Sequence, residues 1–216
     1  MRERAIALPV DGGRIDADLA VPDGAAGLVV FAHGSGSDRR SPRNRRVAAS
    51  LRQAGFATLL VDLLTAGEVR EDEVTRAFRF DLSRLAGRLN RAVDAMSDQP
   101  DVGRLPVGCF GASTGAAAAL ITAAERGDRV AAVVSRGGRP DLAGGALRLV
   151  RVPTLMIVGG NDPEVLVLNR TAAEQIPALT RIEIVPGATH LFPEPGAMDT
   201  VVALTIAWFR RYLAPT

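Results

Sequence analysis

The stretch Pro106-Val107-Gly108-Cys109-Phe110-Gly111-Ala112-Ser113-Thr114-Gly115, followed by four alanines, constrains this chain more than any other. An apolar, strand-like run breaks at Gly-x-Ser-x-Gly and resumes as a helix-prone run. A serine on so sharp a strand-to-helix turn needs small neighbours, because the backbone folds back on itself and a Cβ two residues away would collide. Gly111 and Gly115 supply that room. The turn also aims the amide of Thr114 and the start of the following helix at the place where an oxyanion would form. Ser113 is therefore the candidate covalent nucleophile.

A serine hydroxyl is inert until a base takes its proton, and the usual base is a histidine oriented by a carboxylate. The chain has two histidines, His33 and His190. His190 lies in the loop Gly187-Ala188-Thr189-His190-Leu191-Phe192, after the strand-like run Arg181 to Pro186. A carboxylate sits one element earlier, where the buried-strand run Thr154 to Val158 ends in Gly159-Gly160-Asn161-Asp162. The chain order is Ser113, Asp162, His190, as in α/β-hydrolases and unlike the chymotrypsin or subtilisin orders. Asp141, one strand earlier, is a reserve carboxylate.

His33 ends the run Leu28 to Ala32 and opens the flexible loop His33-Gly34-Ser35-Gly36-Ser37. A histidine at a strand end is often only a hydrogen-bonded structural residue. In a hydrolase of this kind the loop would donate the second oxyanion-hole amide, from Ser35, while the imidazole braces it on the substrate side.

Together these stretches resemble the α/β-hydrolase superfamily and, within it, the dienelactone hydrolase family. The likeness is to small hydrolases that also occur fused to phosphoribosyltransferase domains. It is carried by His33 to Ser37, Ser41-Pro42-Arg43-Asn44-Arg45, Gly111 to Gly115, Ser135-Arg136-Gly137-Gly138-Arg139-Pro140-Asp141-Leu142 and Gly187 to Phe192. The chain departs from dienelactone hydrolase itself, which uses a cysteine nucleophile. Here the elbow carries Ser113, and the only cysteine, Cys109, lies in the preceding strand. The resemblance thus implies a serine esterase rather than lactone specificity.

Composition narrows the chemistry. All 26 basic residues are arginine, which excludes Schiff-base chemistry, Ser-Lys dyads and a Walker A lysine. No Gly-x-Gly-x-x-Gly follows a strand, and two histidines with one cysteine do not make an ordinary zinc site. Neither a cofactor nor a metal is expected. A net charge of +2 with 4% aromatics argues against nucleic-acid binding. A single cysteine, an N-terminus of mixed charge and no bilayer-length apolar run predict a cytoplasmic protein with no membrane partner. Oligomeric state is not legible.

Along the chain, strand candidates at residues 5–10 and 14–21 flank Asp11-Gly12-Gly13 as a hairpin. Further strands are expected at 28–33, 57–63, 106–112, 130–135, 154–159 and 181–186, with helices near 43–54, 80–98, 114–126, 164–176 and 196–213. This alternation predicts a single α/β domain over 1–216. It is a mostly parallel sheet with helices on both faces, an antiparallel N-terminal edge and no separate lid domain. Leu64 to Arg79, charged and without clear pattern, is expected as a small flap.

The ordinary explanation for arginines in so arginine-biased a chain is a solvated surface. The sharper expectation is that Arg136 and Arg139, with Arg39 or Arg79, line the mouth and pair with a substrate carboxylate or phosphate. The sequence thus predicts a serine hydrolase acting on a small, possibly anionic ester, thioester or lactone. The alternative is a ligand-binding or accessory module that keeps the fold and turns over little.

Overall fold

The apolar runs Leu28–Ala32 (β3), Ala57–Val61 (β4), Val107–Ala112 (β5) and Thr154–Gly159 (β7) are buried at every residue. Continuous apolar sequence of this kind belongs to strands covered on both faces. In the computed structural model, which describes residues 1–213 of the 216, they form the middle of an eight-stranded sheet. It is completed by Arg2–Val10 (β1), Gly13–Val21 (β2), Val130–Arg136 (β6) and Thr180–Val185 (β8), in the order β1-β2-β4-β3-β5-β6-β7-β8. The β1–β2 and β2–β4 pairs are antiparallel and the rest parallel. This is the predicted α/β-hydrolase architecture.

Side-chain alternation along the strands divides the core in two. On one face Val30, Cys109, Val133 and Met156 pack with Leu82–Met96 (α3) and Thr114–Glu125 (α4). On the other, Phe31, Phe110, Val134 and Ile157 pack with Pro42–Gln53 (α1) and Ala197–Tyr212 (α6). No helix among the described residues is long and apolar enough to cross a membrane.

Two elements differ from expectation. Within the expected flap, Ala66–Thr75 forms a helix (α2). Its apolar residues Val69 and Val74 are exposed, so burial does not specify it; a capping box does. Thr65 N–H donates to Glu68 Oε2 at 2.7 Å, and Glu68 N–H to Thr65 Oγ1 at 3.2 Å. Arg84 and Arg88 of α3 then hold the Glu68 carboxylate. The second is a 3₁₀ segment over Pro140–Leu149, interrupted at Gly144. Pro163–Ala173 (α5) lies close to its expected place and begins directly after Asp162.

Candidate active site

Ser113 sits between β5 and α4 with φ 50° and ψ −121°, a left-handed conformation that a non-glycine residue takes only where its surroundings enforce it. Those surroundings are tight. A Cβ on Gly111 would lie 2.4 Å from Ala116 Cα, and one on Gly115 2.3 Å from the Ala32 carbonyl. The turn is pinned on both sides: Ser113 N–H donates to Arg136 O at 3.3 Å, and Ser113 O accepts from Ala116 and Arg139 N–H at 3.0 and 3.1 Å.

His190, between β8 and α6, is held over this turn. Thr189 donates its N–H and hydroxyl to Glu194 Oε1 at 3.0 and 2.6 Å, fixing the loop on either side of the imidazole. These hydrogen bonds also hold the Glu194 carboxyl below its ordinary value. The His190 and Asp162 loops are tied together by Asn161, whose N–H donates to Ala188 O at 2.9 Å and whose side-chain amide donates to Gly187 O at 3.0 Å.

Asp162 occupies the N-cap position of α5, yet its side chain makes no capping bond. An aspartate there would ordinarily accept from the helix's first amides. Instead Asp162 Oδ2 accepts from His190 Nδ1–H at 2.7 Å, and His190 Nε2 lies 3.4 Å from Ser113 Oγ. A carboxylate only accepts, so the proton sits on Nδ1 and the lone pair on Nε2 faces the serine. Three loops far apart in sequence thus deliver the three predicted residues to one place. The reserve carboxylate Asp141 is taken by Arg139.

His33 is buried and committed to backbone. Leu63 N–H donates to its Nε2 at 3.0 Å, leaving Nδ1–H to donate to Gly34 O at 3.0 Å. Burial pushes its pKa down and keeps the ring neutral. Ser35 Oγ and Thr114 Oγ1 are 3.0 Å apart, so the two residues whose amides are expected to form the oxyanion hole are neighbours. Thr114 is the first residue of α4, so its N–H has no acceptor within the helix.

A cavity of about 700 Å³ opens beside this pair, lined by Ser35, Thr114, His33, Leu64, Val69 and Leu85 together with charged groups. That size suits a small organic ligand. Three of its four arginines are paired: Arg39 bonds to Asp62 and lies 3.4 Å from Asp18, Arg79 Nε donates to Asp72 at 2.8 Å, and Arg14 lies 3.8 Å from Asp16, while Arg40 has no ion pair among the described residues.

Arg136 and Arg139 do not line this cavity as a pair, contrary to expectation. Arg139 Nε and Nη2 donate to Asp141 at 2.9 and 2.7 Å, closing a local ion pair two residues apart. Arg136 is only 5% exposed, and Ala132 and Val134 of its strand face α1 and α6. Alternation puts the Arg136 side chain on that face, and it is not among the residues that line the cavity. Burial, with the charge of Arg43 nearby, pushes its pKa down to about 10, which leaves the group charged at neutral pH.

Residues 15–212 match the model of the dienelactone hydrolase family. A dienelactone hydrolase from Anabaena variabilis, known from a crystal structure, is 53% identical, with a TM-score of 0.95 and 98% of both chains covered. Two Mycobacterium tuberculosis sequences that carry provisional phosphoribosyl transferase names are 55% identical over 195 residues. The match takes in 90% of this chain and 43% of theirs, so the chain spans less than half the length of those relatives. Est1E from Butyrivibrio proteoclasticus shares the fold, with a TM-score of 0.79 at 16% identity over 96% of this chain and 98% of that one. Est1E is also known with ferulic acid bound.

Proposed function

The chain belongs to the dienelactone hydrolase family, and from that premise we propose that it is a serine hydrolase cleaving a small carboxylic ester, thioester or lactone. The observation that carries this reading is His190, which reaches Asp162 Oδ2 at 2.7 Å with one nitrogen and Ser113 Oγ at 3.4 Å with the other. The longer contact is ordinary for a site without substrate and tightens when the serine attacks. Cys109, the alternative nucleophile, is fully buried and its thiol is pushed up to about 12, so it stays protonated and unreactive.

In this mechanism Ser113 Oγ attacks the carbonyl carbon as its proton passes to His190 Nε2. Asp162 holds the ring in its tautomer and stabilises the imidazolium. The amides of Ser35 and Thr114 take the negative charge that develops on the carbonyl oxygen. As the tetrahedral intermediate collapses, the leaving oxygen or sulfur takes the proton from His190 and departs, leaving Ser113 acylated. Water then gives a proton to His190, attacks the acyl carbon, and releases the acid as Ser113 regains its proton. The cavity beside Ser35 and Thr114 accommodates a small substituent of the substrate.

Mixing the protein with p-nitrophenyl acetate in stopped flow is expected to release about one equivalent of nitrophenolate in a burst, followed by steady turnover. Asp162→Asn is expected to slow acylation by roughly 10⁴-fold, because the ring loses its enforced tautomer. No turnover above the uncatalysed rate on aryl ester, thioester and lactone probes would favour the ligand-binding alternative.

A further inference from the structure

The peptide between Gly138 and Arg139 is held at both of its polar ends. Its N–H donates to Ser113 O at 3.1 Å, and its carbonyl, Gly138 O, accepts from Asn169 Nδ2 at 3.0 Å. A peptide unit is planar, so fixing the carbonyl fixes the direction in which the N–H points. Asn169 therefore aims the donor that holds the carbonyl of Ser113, the residue kept in a left-handed conformation at the elbow.

The arrangement is costly. Asn169 is fully buried on α5, and its amide nitrogen also donates to Val165 O, one turn earlier, at 2.7 Å. Both neighbours are carbonyls, so only the NH2 end of the amide can face them, and both of its hydrogens are used. That leaves Oδ1 buried with no partner among the described residues. An unmet buried acceptor costs about 1–3 kcal/mol, and a helix that needed only filling at this point would carry leucine or valine.

The place of Asn169 in the fold gives that cost a purpose. It follows Asp162 by seven residues, nearly two full turns, so α5 presents both to nearly the same side. Asp162 carries His190, and the Gly137-Gly138 turn lies between that pair and the elbow. Gly137 N–H donates at 2.8 Å to Ile157 O, in the strand that leads to Asp162, and a Cβ on Gly137 would lie 2.8 Å from His190 O. A Cβ on Gly138 would collide with Ser135 Oγ and lie 2.6 Å from Ala116 Cβ of α4. The turn is wedged between His190 and the helix that Ser113 opens, yet two consecutive glycines leave its last peptide free to flip. Asn169 pins it.

We propose that Asn169 is a positioning residue, which acts through the Gly138–Arg139 peptide to set Ser113 against the Asp162–His190 pair; this rests on the serine-hydrolase reading above. Asn169 touches no reacting atom. Loss of its amide lets the peptide rotate, loosens the Ser113 carbonyl and lengthens the contact of Ser113 Oγ with His190 Nε2, which stands at 3.4 Å.

Two substitutions in the whole chain test this. Asn169→Ser keeps a bond to the carbonyl four residues back, as Thr205 makes to Val201 O, but is too short to reach Gly138. Asn169→Leu fills the space and offers no donor. Both are expected to slow acylation by p-nitrophenyl acetate, read from the burst, by about ten- to a hundredfold, the effect of misplacing a reacting group by about 1 Å. The half-saturating ester concentration is expected to stay, because neither Asn169 nor Gly138 lines the cavity. The pH midpoint of the rate is expected to stay as well, because the His190–Asp162 contact is intact. Serine leaves a gap that leucine fills, so the unfolding midpoints of the two variants diverge while their rates fall together. Rates that instead follow the midpoints, a pH midpoint that moves with the rate, or acylation of Asn169→Ser within about twofold of wild type would overturn the proposal. Should Asn169→Leu not fold, Asn169→Ser decides alone on its rate and its pH midpoint.

Hydrogen exchange at the Arg139 amide reads the tie without turnover. Protection is expected in wild type and its loss in both variants, with the amides of β5 unchanged. Full protection at Arg139 in the variants would also overturn the proposal. A wild type that neither turns over nor takes a fluorophosphonate, while Arg139 exchange behaves as expected, sinks the hydrolase reading and leaves the tie between Asn169 and the elbow standing.

Discussion

Ser113→Ala lowers kcat/KM for a short-chain aryl ester by about 10⁴- to 10⁶-fold, the range seen when the nucleophile of such a triad is removed. The substitution removes one hydroxyl whose contact in the fold is His190 Nε2 at 3.4 Å. The unfolding midpoint should therefore move by no more than about 2–4 °C, the equivalent of 1 kcal/mol in a chain of this size. Residual activity within tenfold of wild type, at unchanged stability, would show that the elbow does not carry the chemistry.

Gly115→Ala has the largest expected effect on stability. The added methyl would stand 2.3 Å from the Ala32 carbonyl and 2.5 Å from that of His33. Both atoms are backbone, and one belongs to a central strand, so neither can rotate aside. The cost is expected to reach about 3 kcal/mol or more, at the upper end for an overpacked core, and the oxyanion loop would be pushed out of place with it. Gly87→Ala is the control. Gly87 lies on the exposed side of α3, with nothing within 4 Å of an added Cβ, and alanine there is expected to stabilise by about 0.5–1 kcal/mol. Urea unfolding of the two variants should move in opposite directions. A Gly115→Ala protein as stable as wild type would mean that the elbow is not packed as described.

What was legible in the sequence follows from how each element is stabilised. β3, β5 and β7 are continuous apolar runs because both faces are covered, and such runs announce themselves. α2 was expected only as a charged flap, because its helix rests on the Thr65–Glu68 cap and on Arg84 and Arg88 arriving from α3. A cap can be read locally; the arginines cannot.

The same division holds at the site. Ser113, Asp162 and His190 each follow a recognisable strand, so their meeting could be expected from topology. The ties made by Asn161 and Glu194 carry no periodic signal, although a polar residue two to five positions from a loop turn is a candidate for one. The arginines were misjudged for a physical reason. A place at a strand end does not give direction, because alternation along Val130–Arg136 sends Ser135 and Arg136 to opposite faces of the sheet. Arg139, meanwhile, finds Asp141 two residues on, a pairing that the adjacent Pro140 turn brings within reach.

The central claim is that Ser113 is a nucleophile activated by His190. A fluorophosphonate reacts covalently with such a serine and with few ordinary hydroxyls, so treating the whole chain with one and mapping the adduct by peptide mass spectrometry tests it most directly. The account predicts one phosphonyl group per chain, on Ser113, with labelling absent in Ser113→Ala and strongly slowed in His190→Ala. No adduct on folded protein, or an adduct on another residue at the same rate, would contradict it.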